Sequence, residues 1–265
     1  MKSKPQGSLQ SVAKAFEIME HLASSRECGI TDMANRTKVA KSTAHRLIRT
    51  LEQLGYAMQN EQTGKYYLTF KVFHLGTEMI RGMGFGQQVA CLLEELAVKC
   101  GLVVKLGVYD SGQVLCVYRS ETARGLRMEI GVGSRIAAHS SALGKAILAY
   151  SPESRIKRFL RENTLTAFTR NTITDPQVFL KDLASTRKRG YSLDRGENVI
   201  EMRCVGAPVF DHLGLVIAGV SVSGPVSWLR QDRILDLGPE VIQAARAVSE
   251  HLGWSPQCLA ATTHR

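Results

Sequence analysis

The sequence predicts an α+β protein in two units, and three observations carry that reading. Within the first 54 residues, apolar side chains recur at helical spacing three times, and two short strand-like runs around a turn follow. A run of three glycines in five residues, Gly82-Met83-Gly84-Phe85-Gly86, then breaks the composition. Beyond it come a helix, a strand meander, more helices and a hairpin, the order of an antiparallel sheet with helices against it. A length of 265 residues suits two domains, and 44% hydrophobic residues supply their cores.

In the first unit, Leu9, Val12, Ala13, Phe16, Met19, Leu22 and Ala23 fall at helical spacing and predict a helix over 8–25. Thr31 is the expected N-cap of a short second helix ending near Thr37. A third helix is predicted from Lys41 or Ser42 to Leu54, stopped by Gly55. Strands over 56–60 and 65–70 flank Glu61-Gln62-Thr63-Gly64, where the glycine suits a left-handed turn position. Residues 71–81 read as a linking helix. The boundary is expected at the glycine run, which lacks both the spacing and the preceding strand of a dinucleotide fingerprint. The predicted division is a domain over 1–70, a linker helix and hinge over 71–86, a second domain over 87–253 and a tail over 254–265.

The second domain opens on a helix with the stripe Val89, Leu92, Leu93, Leu96 and Cys100. Strands are predicted over 102–109, 114–120 and 126–130, and helices over 142–150, 152–160 and 176–189. Two more strands, 204–210 and 215–222, flank the turn Asp211-His212-Leu213-Gly214. A last helical region over 228–252 carries Val241, Ala244, Ala245, Val248 and Leu252 on one face.

Charge and composition narrow the function. The chain holds 34 Lys+Arg against 24 Asp+Glu, a net +10 that favours an anionic partner, nucleic acid first. No stretch reaches the roughly 18 apolar residues of a membrane span. Residues 1–8 lack an apolar core, so no signal peptide and a cytoplasmic location are expected. The six cysteines form no Cys-x-x-Cys pair and read as free thiols.

The third helix carries the sharpest chemistry. At 100° per residue, Ala44, Leu47, Ile48 and Leu51 share one arc, while Ser42, His45, Arg46, Arg49 and Gln53 share the opposite one. That polar arc offers cations and donors, which phosphates and major-groove base edges accept. Between Ile30 and Thr50 stand five basic residues (Arg36, Lys38, Lys41, Arg46, Arg49) and one acid (Asp32), a local +4. A short turn joins helices two and three into a helix-turn-helix, and the following hairpin, with Lys65 near its tip, makes it winged. The DNA-binding candidates are therefore Lys41, Ser42, Thr43, His45, Arg46, Arg49 and Lys65. Lys41 and Lys65 are expected to neutralise phosphates and the others to lie in or over the major groove.

These segments resemble the IclR family of bacterial transcriptional regulators. The resemblance rests on Leu9-Gln10-Ser11-Val12, on the run from Lys41 through Leu51 (Lys-Ser-Thr-Ala-His-Arg-Leu-Ile-Arg-Thr-Leu) and on Gly55-Tyr56, and it extends over residues 8–252. The family often has Gly in the inter-helix turn and Pro before Lys-Ser-Thr, where Lys38 and Ala40 stand here. Lys38 in a left-handed turn position would cost about 1 kcal/mol.

A second family-like stretch comprises Asp194-Arg195-Gly196-Glu197, Cys204 through Asp211, and Gly219 through Pro225. The resemblance implies a GAF-like antiparallel sheet flanked by helices, holding a small carboxylate or aromatic metabolite. Its polar pocket positions fall on Asp194, Cys204, Ser221 and Ser223, and a further wall on His139 through Lys145. Ser221 and Ser223, two apart on a strand, point to one face. Ser140 or Ser141 would cap a helix starting near Ala142, whose free N–H groups bind anions. The effector-binding candidates are Ser141, Ala142, Leu143, Asp194, Cys204, Ser221 and Ser223. Cys204 also reads as a core residue, and His139 as structural.

Catalysis is not expected. Ser223 stands where a nucleophile elbow around Ser221 needs its last glycine. Cys204 has no cationic partner legible in sequence, since Arg203 faces the other way in a strand. No His-x-x-x-His pair occurs among the seven histidines, and no cofactor or metal is implied. The expected function is a sequence-specific DNA-binding regulator, a repressor by resemblance, modulated by a small organic acid. One module buries little, so a homodimer is expected on a pseudo-palindromic operator, with recognition helices about 34 Å apart. The resemblance adds a dimer of dimers. The linker helix and the Val89–Cys100 stripe are candidate contacts, with core burial the other account of the stripe. Alternatives are an enzyme with an accessory DNA-binding domain, and an architectural DNA-binding protein without an effector.

Overall fold

The computed structural model describes residues 9–120 and 131–256; the strand expected over 126–130 lies outside the described residues, as does Cys258. The chain divides into two compact units between Met83 and Gly84.

The first unit runs α1 (Gln10–Ser25), α2 (Ile30–Thr37), α3 (Lys41–Gln53), β1 (Ala57–Gln59), β2 (Tyr66–Leu68) and α4 (Lys71–Gly82). Ile18 and Leu22 of α1, Met33 of α2, and Ala44, Ile48 and Leu51 of α3 form its core with Tyr66. β1 and β2 pair antiparallel, Ala57 opposite Leu68, and Cys28 adds a bridge to Tyr66. The winged helix-turn-helix is thus complete.

Two local expectations need correction. The second helix starts two residues earlier than expected: Gly29, not Thr31, is its N-cap, and the Asp32 carboxylate accepts from the Gly29 N–H at 3.4 Å. On α1 the buried face is Ile18 and Leu22, with Ala15 and Met19 packed beside it. Leu9, Val12 and Phe16 are exposed, Phe16 by 60%. A three-helix unit buries one stripe of each helix, and these three lie about a quarter turn away from it.

The second unit runs α5 (Gln87–Cys100), β3 (Val103–Asp110), β4 (Gln113–Arg119), β5 (Arg135–Ala137), α6 (Ala142–Ala149), α7 (Glu153–Glu162), α8 (Pro176–Arg189), β6 (Ser192–Asp194), β7 (Met202–Phe210), β8 (Val216–Pro225) and α9 (Gln231–His251). The six strands form one antiparallel sheet in the order β5-β4-β3-β8-β7-β6. The three-residue edge strands β5 and β6 were not expected; a strand that short shows no period to read. The stripe on α5 is spent on the core: Val89, Leu93, Leu96 and Cys100 are buried, and α5 packs on α9 and β3. Core burial accounts for these four residues; Leu92, the fifth of the stripe, is half-buried.

Helix α6 lies against the sheet where glycines let it close in. A Cβ on Gly206 of β7 would come 2.8 Å from the Ala142 carbonyl oxygen. One on Gly144 would come 2.2 Å from the Ala138 carbonyl oxygen. Only glycine admits such approaches. They seat the first turn of α6 directly on the strands that carry the polar residues described next.

Candidate functional site

Two surfaces gather the chemistry-bearing residues, one in each unit. In the first unit, Lys41, Ser42, Thr43, His45, Arg46 and Arg49 of α3 are all exposed, and so is Lys65 before β2. The opposite arc holds the core: Ala44, Ile48 and Leu51 are buried and Leu47 half-buried. The amphipathic split read from the sequence is therefore present. Arg49 Nη1 lies 2.7 Å from Glu52 Oε2, one helical turn on. Such an exposed pair is worth only ~0.3–0.5 kcal/mol and leaves the guanidinium accessible. No ion pair holds Arg46 among the described residues.

Lys38 stands in the turn between α2 and α3 with φ +55° and ψ +45°, the left-handed conformation that its position required. Its N–H donates to the Asn35 carbonyl at 3.4 Å, closing the turn. The wing tip is tied to the body through Glu27, which accepts from Asn60 Nδ2 at 2.8 Å and Thr63 Oγ1 at 3.3 Å.

In the second unit a small cavity opens between α6, the sheet and the segment after β6, with a volume of about 40 Å³. Its lining includes Ser141, Ala142, Leu143, Asp194, Cys204, Ser221 and Ser223, all seven of the residues singled out as effector candidates. The strand register explains the gathering. Val103, Ser223, Cys204 and Asp194 form one cross-strand row, and Lys105, Ser221, Gly206 and Ser192 the next. Alternation sends Val220 and Val222 to the other face, where both are fully buried.

The first turn of α6 is fixed at the cavity edge. Ser141 caps it, its hydroxyl accepting from the Gly144 N–H at 3.1 Å. Ser192 Oγ donates to the Ala142 carbonyl at 2.6 Å. Among the described residues, the Ala142 and Leu143 N–H groups meet no acceptor. Open N–H groups at a helix start form an anion site.

Burial sets the ionisation of the lining. It pushes the Asp194 carboxyl up to about 6, opposed by hydrogen bonds from the Glu197 and Asn198 N–H groups. The Glu197 N–H donates to Asp194 Oδ1 at 2.7 Å. Burial, then the Asp194 charge, pushes the Cys204 thiol up to about 12. A thiol held protonated is a poor nucleophile. His139 stands apart from the cavity lining: its Nε2 lies 3.0 Å from the Thr166 carbonyl, and its ring stacks on Phe168.

The sequence reading missed Lys105, Ile136, Asn198, Val199 and Met202 in this lining. It also found no cation near Cys204, whereas Lys105 acts on that thiol. One signal was available: Lys105 interrupts the apolar run Leu102-Val103-Val104 and Leu106. A charged residue inside a buried strand needs a reason. Among the described residues, no group of three or more His, Cys, Asp or Glu side chains could hold a metal ion. Among the described residues, no helix is long and apolar enough to cross a membrane.

Comparison with known proteins bears on both units. Residues 11–61 match the family described as IclR helix-turn-helix domain, and residues 77–250 match that described as bacterial transcriptional regulator IclR C-terminal. The HTH-type transcriptional regulator BhcR of Paracoccus denitrificans is 36% identical over 95% of this chain and 89% of its own. The transcriptional repressor IclR of Escherichia coli is 30% identical over 92% of this chain and 90% of its own. The crystal structure of an IclR homolog from Microbacterium hydrocarbonoxydans, complexed with 4-hydroxybenzoate, shares the fold. Its TM-score is 0.78 at 22% identity, over 91% of this chain and 98% of that one.

Proposed function

The chain belongs to the IclR family of bacterial transcriptional regulators, and from that premise we propose that it is a repressor whose operator binding is set by a small organic acid in the cavity of its second unit. DNA binding follows from the family and its helix-turn-helix. The finer assignments are our reading. Ser42, Thr43, His45, Arg46 and Arg49 read the major groove, and Lys41 and Lys65 neutralise phosphates. The acid is held by Ser141, Ala142, Leu143, Asp194, Cys204, Ser221 and Ser223.

One observation carries the effector reading: all seven of these residues line one cavity, beside a helix start whose N–H groups are open. The 4-hydroxybenzoate complex of the Microbacterium homolog supports an acid as occupant. Binding that favours one conformation shifts the population of the operator-competent state.

The operator reader is a homodimer, and a dimer of dimers is the larger assembly. A single module buries too little surface to bind DNA both tightly and selectively.

Gel-shift titration against the DNA upstream of the chain's own gene tests the reading. Gluconate, pyruvate and 4-hydroxybenzoate represent sugar, keto and aromatic acids. A shift that one of them alters supports an effector-controlled regulator. A shift indifferent to every acid favours an architectural role. No shift on any fragment at low salt removes the operator assignment.

A further inference from the structure

Among the described lining residues, Lys105 is a buried cation that no ion pair holds. It lies in β3, 3% exposed, between the fully buried Val104 and the buried Leu106. Its partner across the β3–β8 ladder is Ser221, so its side chain enters the cavity on the serine face. Among the described residues its ammonium makes no hydrogen bond or ion pair. The unit's other buried lysine is the contrast. Lys145 meets Glu197 Oε1 at 2.6 Å and Asp182 Oδ2 at 3.1 Å. A buried cation is normally paired in this way, because desolvation disfavours its charge. Burial lowers the basicity of Lys105.

The rest of the described lining supplies no ion pair. Asp194 is its one carboxylate; its charge reaches Lys105 without pairing with it, and its oxygens are engaged by the Glu197 and Asn198 N–H groups. The remaining polar groups of the lining are neutral: the Ala142 and Leu143 N–H groups, the Ser141, Ser221 and Ser223 hydroxyls and the Asn198 amide can donate to an anion but bring no negative charge to Lys105. Ile136, Leu143, Val199 and Met202 add an apolar wall.

We propose that Lys105 is the charge-selecting residue of this cavity, and that its occupant is a small carboxylate carrying a hydroxyl group. The carboxylate pairs with Lys105 and takes hydrogen bonds from the serines and the start of α6. The hydroxyl donates to Asp194, and a short apolar portion rests on the wall. This rests on the small-acid reading of the cavity and adds to it a residue and a ligand class.

The test is calorimetric titration of the full chain, its K105M variant and its K105Q variant. The probes are gluconate and 4-hydroxybenzoate, each beside its uncharged primary amide, with benzoate as the acid lacking a hydroxyl. The unmodified chain is expected to bind at least one hydroxy acid, and to bind its amide about ten- to a hundredfold more weakly, the range of one charged hydrogen bond. Both variants are expected to lose that preference by weakening the acid and not the amide. Acid binding that survives both substitutions overturns the role of Lys105 and leaves the small-acid reading standing. Equal binding of acid and amide by the unmodified chain overturns it also, whether or not the variants fold. Benzoate binding as well as 4-hydroxybenzoate overturns the hydroxyl assignment. Failure of every acid to bind overturns the small-acid reading itself and this inference with it.

Discussion

Lys145 Nζ and Glu197 Oε1 meet at 2.6 Å with both side chains all but sealed from solvent. Asp182 Oδ2 stands 3.1 Å from the same ammonium, close in charge but without hydrogen-bond geometry. The lysine comes from α6, Asp182 from α8 and Glu197 from the segment after β6. The cluster therefore fastens to one another the helix and the segment that border the cavity. Glu197 also donates its N–H to Asp194, so the pair indirectly positions a lining carboxylate.

Removing Glu197 takes the hydrogen-bonded acceptor from Lys145, which keeps only the Asp182 charge at 3.1 Å. Glu197→Ala is expected to destabilise the second unit by about 1.5–3 kcal/mol. Glu197→Gln, which keeps the shape and one hydrogen bond, should cost less. Urea unfolding followed by circular dichroism measures both, and equal stability of Glu197→Ala and the unmodified chain would refute the estimate.

Arg46→Ala should leave the fold unchanged, since the side chain is exposed, and should reduce operator discrimination by ~1–3 kcal/mol. Glu52→Gln should act in the opposite direction. It releases Arg49 from its 2.7 Å partner and removes an acid from the cationic arc, so operator affinity rises, most at low salt. Fluorescence anisotropy on operator and on scrambled duplex across a salt series reads both effects. Loss of folding in Arg46→Ala would mean that the helix face is misassigned.

Lys38→Gly should stabilise the first unit. The lysine holds φ +55°, where a side chain costs ~1–2 kcal/mol that glycine avoids. Glycine's greater freedom in the unfolded chain offsets part of this, leaving a gain of up to about 1 kcal/mol. A rise in thermal midpoint is the expected result; a fall would show that the lysine makes a contact outweighing its backbone strain.

Asp194 gives the second unit a pH dependence of known sign. Its carboxyl is raised from 3.8 to about 6, first by burial. Between about pH 4 and pH 6 the folded chain holds a proton that the unfolded chain has released. Raising the pH through that window therefore favours unfolding, by about 3 kcal/mol in all, with no further change from this group above it. Asp194→Asn removes the contribution. The difference in unfolding free energy between the two proteins, measured from pH 4 to pH 7.5, should shift toward the variant as pH rises. A constant difference would place the Asp194 carboxyl near its ordinary value.

Local pattern alone made much of this protein legible. Along residues 41–53 the period of a helix separates Ala44, Ile48 and Leu51 from His45, Arg46 and Arg49, and no tertiary information is needed to see it. The period of a strand likewise put Ser221 and Ser223 on a common face. Each is a property of a few consecutive residues, and neighbouring residues share one backbone geometry. What escaped that reading depends on which elements meet. The two three-residue edge strands exist because longer strands present ladder groups to them. Phe16 carries the same apolar signal as Leu22, yet one is exposed and the other buried, since only the packing of three helices selects the stripe. Lys105 is the clearest case. Its place opposite Ser221, in one lining with Cys204 and the start of α6, arises from the register of three strands and the seating of a helix between glycines. Residues 105, 142, 204 and 221 are distant along the chain, and sequence order does not encode the distance between them in space.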